Sequence, residues 1–416
     1  MFLYLCCQNK QIAYPTTMPI RKRLLGRNTR HRHLATLIIS MMLAFGMALP
    51  ASAQYFSKMR IKEKNFCDTI PIEFRRGRIF IPVEIEGRTH QFIFDTGCSV
   101  GLMFTDRAVT LKKKFGFTFV NDAANLVRLT DVKRIPEMHI GHITVSNYRV
   151  VLTPDRSMVN TEYDCQQIVG CIGSDLISKR CAVKIDTQKS IMVITDRQGV
   201  FDREEGFRFP FKEEVRVPYL QVSTRADKTR WCLFDTGFPG FLDVRRKDIT
   251  VADTLDTAIG SVTAGIYGKT DDERLMLLRL DSLRIGDCVF RQVTTNLQSA
   301  NDFVLGSSIL KFGTMVIDYT THKMIFRPYH YDNGVMVANT FNDFVMMTRD
   351  DNLYVTLVWS KSLAYAQGVR QGDRLTHIDG IDVSGNPCAY INIAPGDHLL
   401  TFVSSEGEKK EIPIKR

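Results

Sequence analysis

The chain has 416 residues with 55 Lys and Arg against 45 Asp and Glu, a formal net charge of +10. Seven of the basic residues and none of the acidic ones lie in residues 1–53, so the rest of the chain carries 48 against 45, or +3. That balance argues against a nucleic-acid-binding protein, and the 416 − 53 = 363 remaining residues suffice for two to three domains.

The N-terminus has the pattern of a signal peptide. A basic segment around Arg21-Lys22-Arg23 precedes the apolar run Leu34–Leu49, and the small residues Ala51-Ser52-Ala53 follow. We predict a signal peptide over residues 1–53, of which 1–17 precede a second methionine, Met18, and can be a mis-assigned start. The apolar run is short for a membrane span. Export to the periplasm or the cell exterior is expected, with no membrane span left after cleavage; an uncleaved signal anchor is the alternative.

The tripeptide Asp-Thr-Gly occurs twice, each time behind an apolar run, in Phe92–Gly101 and Cys232–Phe241. Short strands rich in Phe, Ile and Val are predicted before each copy, at Ile79–Ile85 with Gln91–Phe94, and at Val217–Ser223 with Trp231–Phe234. Glycine permits a tight turn after the strand. The sequence therefore presents two carboxylates on turns, and a pair of carboxylates is what acid–base hydrolysis by Asp requires.

The repeat extends beyond the tripeptides. Cys171–Ile194 and Val304–Phe326 both read apolar-apolar-Gly-Ser and then two strands, and Met138–Val151 resembles Leu283–Leu297. Three landmarks in the same order indicate a duplicated β unit. We predict one lobe over residues 54–200 and a second over 201–330.

A different pattern covers residues 341–416. Gly372-Asp373 and Asp379-Gly380 have the composition of turns, and a closing strand pair is predicted at His398–Ser404 and Lys410–Ile414. This segment is predicted to be a small α+β domain.

The two repeats resemble the aspartic proteases, both pepsin-like and retropepsin-like, and residues 341–416 resemble a PDZ domain in its bacterial arrangement. The resemblance implies a mostly β, two-lobed (duplicated) acid-protease β-barrel fold followed by a small α+β PDZ domain. It implies that Asp95 and Asp235 are catalytic. The supporting residues it implies are Thr96, Gly97, Thr236 and Gly237 in the two loops, and Ile172, Gly173, Leu305 and Gly306 in the segments beneath them.

The chemistry implied is hydrolysis of peptide bonds. Two carboxylates about 3 Å apart share one proton and activate a water molecule between them. No cofactor and no metal is expected, a monomer with both motifs can form the complete site, and the partners are polypeptide substrates. A flap is expected in Ala258–Lys269, with Gly265, Tyr267 and Gly268 as candidates; a surface aromatic is the alternative for Tyr267. The first-lobe equivalent is placed around Phe115–Arg134.

The sequence departs from the family at the residue after each Gly. Cys98 and Phe238 stand where a hydroxyl or alanine is usual. Cysteine is a weak hydrogen-bond donor and phenylalanine donates nothing. The alternative function is therefore a catalytically weak or inactive peptide-binding scaffold that uses the cleft and the PDZ groove.

In the PDZ-like segment, the groove strand is placed at Leu353, Tyr354 and Val355. Such a strand pairs with a partner's peptide and the preceding loop binds its terminal carboxylate. Here that loop contains Asp350 and Asp351, which would repel a carboxylate. The alternatives are capture of a peptide ligand and a PDZ fold that only packs on the protease.

Cysteine and histidine patterns leave two further expectations. Eight cysteines follow residue 53, which permits disulfides in an exported chain, but their spacing determines no pairing and buried thiols are the alternative. His139 and His142 would point to opposite faces of one strand, so no metal site is expected there.

Overall fold

The computed structural model describes residues 59–104, 109–153, 158–225, 228–245, 253–298, 303–338 and 341–415. The predicted signal peptide, residues 1–53, lies outside these residues. Across the described ranges, no helix has the length and apolar character needed to span a bilayer.

The first lobe contains twelve strands and one helix among the described residues. The strands are β1 (Arg60–Ile61), β2 (Cys67–Pro71), β3 (Glu73–Arg75), β4 (Arg78–Ile85), β5 (Arg88–Asp95), β6 (Gly101–Met103), β7 (Lys112–Asn121), β8 (Val127–Ile140), β9 (Ile143–Leu152), β10 (Ile168–Gly173), β11 (Ala182–Asp186) and β12 (Ile191–Thr195), and the helix is α1 (Met158–Cys165). A short 3-10 helix, Ser174–Leu176, follows β10.

The second lobe repeats this plan. Its strands are β13 (Phe207–Glu214), β14 (Val217–Arg225), β15 (Lys228–Asp235), β16 (Leu242–Arg245), β17 (Asp253–Gly260), β18 (Ala264–Gly265), β19 (Gly268–Lys269), β20 (Glu273–Ile285), β21 (Cys288–Gln298), β22 (Val304–Gly306), β23 (Gly313–Asp318), β24 (Lys323–Pro328) and β25 (Val335–Met336). A 3-10 helix, Ser307–Lys311, follows β22 as its counterpart follows β10.

The third part is a small α+β unit. Its elements are β26 (Phe344–Arg349), β27 (Asn352–Val358), α2 (Leu363–Ala366), β28 (Arg374–Ile378), β29 (Ile381–Asp382), α3 (Pro387–Ile391), β30 (Asp397–Val403) and β31 (Lys409–Lys415). The sheet order is β26-β27-β28-β30-β31, with β29 paired to β28.

Each lobe closes into a six-stranded barrel. In the first, the order β9-β6-β10-β5-β4-β8 is closed by pairing of β8 with β9; in the second, β21-β16-β22-β15-β14-β20 is closed by pairing of β20 with β21. The two orders correspond strand for strand. The predicted mostly β, duplicated acid-protease fold is therefore confirmed.

A central sheet joins the two lobes. Its six strands run β2-β12-β11-β23-β24-β13, three from each lobe, and the halves meet where β11 pairs antiparallel with β23. The largest apolar core extends through this sheet into both barrels and includes Ile185 of β11 and Met315 of β23, which lie opposite one another. This shared core is what holds the two lobes in register.

The third part packs on both lobes. A disulfide joins Cys165 at the end of α1 to Cys388 in α3, with Cα atoms 5.1 Å apart. On the other side, Leu357 and Trp359 pack against Ala258 and Val262 in the predicted flap of the second lobe. The third part is thus fastened to the helix of one lobe and to the hairpin of the other.

Candidate active site

The two Asp-Thr-Gly loops lie at equivalent ends of barrel strands. Asp95 is the last residue of β5 and Asp235 the last of β15, and each lies beside the glycine that ends the neighbouring parallel strand, Gly173 or Gly306. A Cβ atom added at Gly173 would lie 2.6 Å from the carbonyl oxygen of Cys98, and one at Gly306 would lie 2.2 Å from that of Gly240. Both segments under the loops therefore need glycine, because backbone of the loop passes where a side chain would be.

Four crossing hydrogen bonds tie the loops together through their threonines. Thr96 Oγ1 donates to the carbonyl oxygen of Phe234 (2.7 Å) and accepts from the amide of Thr236 (3.1 Å). Thr236 Oγ1 donates to the carbonyl oxygen of Phe94 (2.7 Å) and accepts from the amide of Thr96 (2.9 Å). All of these groups are buried. The two lobes are thereby locked in the relative position that brings the carboxyl groups together.

The two carboxyl groups face each other within hydrogen-bonding reach. Oδ1 of Asp95 accepts from the amides of Gly97 (2.8 Å) and Cys98 (3.0 Å). Oδ1 of Asp235 accepts in the same way from Gly237 (2.8 Å) and Phe238 (3.2 Å). The second oxygen, Oδ2, of each is buried and receives no hydrogen-bond donor from the protein. The amides hold one edge of each carboxyl, so the other edges are available to the shared proton.

Burial controls the electrostatics of the pair. Removal from water raises the pKa of both Asp95 and Asp235, and the facing charge of Asp235 raises the pKa of Asp95 further. The two carboxyls also hydrogen-bond to each other, which allows them to share one proton. Two such carboxyls titrate as one unit.

The unusual residues Cys98 and Phe238 support the loops through their backbone. Their amides supply the donors to the two Oδ1 atoms, so no side-chain hydroxyl is needed at either position. The Phe238 side chain is 3% exposed and packs with Tyr219 and Val304 in the wall of the second barrel. It therefore lines the cleft without donating to the dyad.

Two serines missed by the sequence reasoning form a second layer. Ser174 Oγ donates to the carbonyl oxygen of Thr96, and Ser307 Oγ donates to that of Phe238 (2.9 Å). Each is the first residue after the glycine that lies beside an Asp-Thr-Gly loop. The signal was in the sequence, because Gly-Ser recurs at both places in the repeat.

Tyr148 and Asp175 reinforce the first lobe only. The Tyr148 hydroxyl donates to Asp175 Oδ1 (3.1 Å) and accepts from the amide of Gly173 (3.1 Å). Burial raises the pKa of Asp175 to about 7. The sequence gives no sign that Tyr148 and Asp175 are in contact, because they meet only once the barrel has closed.

Two hairpins cover the dyad. The flap predicted at Ala258–Lys269 joins β17 to β20, and its first-lobe counterpart is the β7–β8 hairpin, whose turn contains Asp122. Asp122 Oδ2 accepts from the amide of Tyr267 (2.8 Å), and a Cβ atom added at Gly265 would lie 2.1 Å from that same oxygen. The Tyr267 hydroxyl bonds to Thr130, so Tyr267 is half-buried between the hairpins. Gly268 pairs with Gly265 across the tip.

Each hairpin tip packs on the opposite lobe. Ala123 of the first hairpin lies against Phe238 of the second lobe. Ala264 and Ile266 of the second hairpin lie in the apolar cluster of the first lobe that contains Cys98. Asp95 and Asp235 have no exposed surface. The cleft between the two lobes is therefore closed by the hairpin tips.

Among the described residues, the potential metal ligands that come together are Asp95, Cys98 and Cys171, whose ligand atoms lie within 4.8 Å of one another. All three are buried and one is a member of the dyad. His142, by contrast, bonds to Asp68 through Nδ1 (2.9 Å), and His139 lies near Glu137.

The strand predicted to form the peptide groove of the third part lies inside its sheet, and the groove itself stays a prediction. Leu353, Tyr354 and Val355 lie in β27, which is paired with β26 on one side and bonded to β28 and its preceding turn on the other. The edge strands of this sheet are β26 and β31. Asp350 and Asp351 form the tight β26–β27 turn, both with positive φ.

The side of this domain that carries Leu353 and Tyr390 faces the two lobes. Leu353 and Tyr390 line a cavity of about 510 Å³ whose other walls include Arg78, Glu162 and Phe241 of the two lobes. Arg78 and Glu162 form a buried ion pair at 3.2 Å in its wall. The sequence alternative in which this domain packs on the lobes agrees with these contacts.

Comparison with known proteins gives one family match. Residues 81–176, which include Asp95 and Gly173, match the model of a family described as aspartyl protease; the match covers less than half of the chain. It agrees with the pair of barrels, and together they fit a pepsin-like aspartic protease. The resemblance found in the sequence is confirmed at that level, while the PDZ assignment and a bacterial origin stay predictions.

The other comparisons add little. No curated protein matches the chain. Among solved structures, the chain is similar to basic 7S globulin from soybean, with 10% sequence identity and a TM-score of 0.40 over 66% of this chain and 99% of that one.

Proposed function

We propose that the protein is an exported aspartic endopeptidase in which Asp95 and Asp235 activate a water molecule for attack on a peptide bond. The observation that carries this proposal is the pairing of two buried carboxyls by four crossing threonine hydrogen bonds. A structural pair of acids needs no such bracing, and leaving two carboxyl oxygens buried without donors is unfavourable unless a proton or substrate uses them.

The proposed mechanism assigns one role to each carboxyl. The ionised carboxyl takes a proton from the bound water as that water attacks the scissile carbonyl carbon. The protonated carboxyl donates its proton to the carbonyl oxygen, and a tetrahedral diol forms. The carboxyl that took the water's proton then passes it to the leaving nitrogen, the other takes a proton back from a diol hydroxyl, and the C–N bond breaks. The amides of Gly97 and Gly237 hold the carboxyls in place throughout.

Substrate entry requires the two hairpins to separate. An extended, unfolded polypeptide would take the place of the tips and pair with the hairpin strands. The third part supports the second hairpin at its base, because the amide of Ser261 donates to the carbonyl oxygen of Thr356 (3.1 Å) and the amide of Lys361 donates to Asp256 (2.8 Å). We propose that this PDZ-like domain acts on the hairpin and on docking of partners, and that the disulfide to α1 reflects an oxidising, extracytoplasmic location.

The closed cleft favours one alternative, a peptide-binding scaffold with little or no catalysis. One experiment separates the two. The purified protein is incubated with an unfolded polypeptide between pH 3 and pH 8, beside Asp95→Asn and Asp235→Asn, and the products are read by mass spectrometry. We expect cleavage by the wild type and a loss of about 10²- to 10⁴-fold in either variant.

Asp318→Asn is the matched control, since Asp318 also ends a strand but only caps its own turn through Thr320 and Thr321. It should cleave like the wild type. Turnover that survives either dyad substitution would exclude the shared-proton mechanism, and binding without cleavage at every pH would favour the scaffold.

A further inference from the structure

The strand register makes the two barrels comparable residue by residue. Gly306 lies opposite Asp235 as Gly173 lies opposite Asp95, so Val304 corresponds to Cys171. Asp243 of β16 pairs with Val304, and Leu102 of β6 pairs with Cys171. Asp243 of the second lobe therefore occupies the position of Leu102 in the first.

The neighbouring strand gives the same correspondence. Asp243 lies opposite Asn296 of β21, and Leu102 lies opposite Val151 of β9. Where one barrel has the pair Leu102–Val151, the other has Asp243–Asn296. An apolar pair in one lobe is thus replaced by an acid and an amide in the other.

These positions lie beneath the hairpin tips. In the first lobe, Leu102 and Val151 are fully buried in the apolar cluster that receives Ile266 from the opposite hairpin. In the second lobe, Asp243 and Asn296 border a cavity of about 10 Å³, the size of one water molecule. Its other walls include Phe238, next to the catalytic loop, and Val262 and Thr263 of the flap.

Asp243 and Asn296 both belong to the lining of this cavity, whose other lining groups are mainly apolar. The Asn296 side chain hydrogen-bonds to Asp243, while Asn296 Oδ1 is buried, accepts no hydrogen bond, and belongs to a residue only 4% exposed. Burial raises the pKa of Asp243 well above its usual range. An unsatisfied buried acceptor is unfavourable. A ligand that donates a hydrogen bond to Asn296 Oδ1 from the cleft would therefore gain the free energy that this acceptor otherwise loses.

We propose that Asp243 and Asn296 form a substrate specificity subsite of the second lobe that binds a lysine side chain, while the equivalent subsite of the first lobe binds an apolar side chain. This inference rests on the proposed function. A lysine ammonium has three donors and no acceptor, and its compact tip suits a cavity of water size better than a planar guanidinium does. Asp243 releases its proton to solvent as the cation enters, and the ammonium then bonds to both the carboxylate and Asn296 Oδ1.

The test compares peptides that differ at one residue beside the scissile bond, lysine or the uncharged norleucine of the same length. We expect kcat/KM to favour lysine by about 10- to 100-fold, as hydrogen bonds to a charged group imply. Asp243→Leu with Asn296→Val, which installs the first-lobe pair, should reverse the preference. Asp243→Asn keeps the shape of the side chain and should remove most of it even if the double variant folds poorly. Asp318→Asn should leave the ratio unchanged.

Failure of the subsite is distinguishable from failure of the proposed enzyme. Equal cleavage of both peptides by the wild type, or a lysine preference retained in Asp243→Asn, overturns the subsite and leaves the protease intact. If nothing is cleaved, equilibrium binding of the same two peptides, labelled with a fluorophore, decides. Tighter binding of the lysine peptide that is lost in Asp243→Asn supports the subsite without catalysis, and equal binding overturns it.

Discussion

The disulfide between Cys165 and Cys388 supports a quantitative prediction, because it closes a very long loop. The two residues are 223 positions apart and connect the end of α1 to the third part of the chain. Fixing a loop of that length removes about 18 cal/mol/K of entropy from the unfolded chain, which corresponds to about 5 kcal/mol at room temperature. We predict that Cys165→Ser with Cys388→Ser lowers the free energy of unfolding by about that amount.

Tryptophan fluorescence in a urea titration measures this change. The chain has two tryptophans. Trp359 is 4% exposed at the contact between the third part and the second hairpin, whereas Trp231 is already 41% exposed. The red shift on unfolding therefore reports mainly on Trp359. Wild type treated with a reductant should unfold like the double variant, and its thiol count should rise by two.

Cys67→Ser is the control, since Cys67 is an exposed free thiol and its loss should leave the midpoint unchanged. A loss below about 1 kcal/mol in the double variant, with an unchanged urea dependence, would refute the loop-closure argument.

Two further predictions concern the dyad and its bracing. Thr236→Ala leaves the carbonyl oxygen of Phe94 and the amide of Thr96 without their partner, so the free energy of unfolding should fall by about 2–4 kcal/mol in thermal or urea unfolding. Thr236→Ser keeps the hydroxyl and should lose under about 1 kcal/mol. Equal losses in the two variants would contradict the role of the hydroxyl. Burial and the facing charge raise the pKa of the dyad in the folded state. The dyad's contribution to the free energy of unfolding is therefore fully present below the pKa of an unfolded Asp, about 4, and is lost as pH rises through the raised pKa of the folded state. Urea titrations at several pH values should therefore show the wild type losing stability relative to Asp95→Asn with Asp235→Asn as pH rises, and parallel curves would count against a raised pKa.

The sequence predicts the fold where the pattern is local and repeated. The apolar runs before each Asp-Thr-Gly end in the structure at Asp95 and Asp235, because a strand with buried side chains on both faces is continuous in sequence and stops at a glycine turn. The duplication predicts two equivalent barrels, since the same landmarks in the same order form the same strands. Local turn signals work equally well: Asp379-Gly380 joins β28 to β29 as its composition indicates.

Features that depend on distant pairing could not be predicted. The Cys165–Cys388 disulfide and the Asp243–Asn296 pair each join segments that only the closed fold brings together, and a cysteine count or a lone acid gives no sign of either. The position of the predicted groove strand within its sheet depends on distant pairing in the same way. Leu353–Val355 has the composition of a strand, but whether a strand lies at an edge depends on its neighbours, which here occupy both sides.

The two hairpins pack on different surroundings in the two lobes, and these contacts determine the free energy needed to open the cleft. Burying Ile266 in the first lobe stabilises the closed state by about 1.5–3 kcal/mol, and the hydrogen bond from Tyr267 to Asp122 adds about 1 kcal/mol. A closing free energy of roughly 2.5–4 kcal/mol leaves the open state at about 1% or less, which would weaken the apparent affinity for a proposed substrate about a hundredfold. A substrate recovers this energy only if its own side chains fill the vacated sites. Ile266 lies in an apolar cluster of the first lobe, so in the proposed peptidase an apolar substrate residue replaces it without loss. Val262 and Thr263 of the same hairpin line the small cavity beside Asp243 and Asn296. Under the proposed function, the two lobes would therefore select substrates differently through these hairpin contacts, although their Asp-Thr-Gly loops are nearly identical.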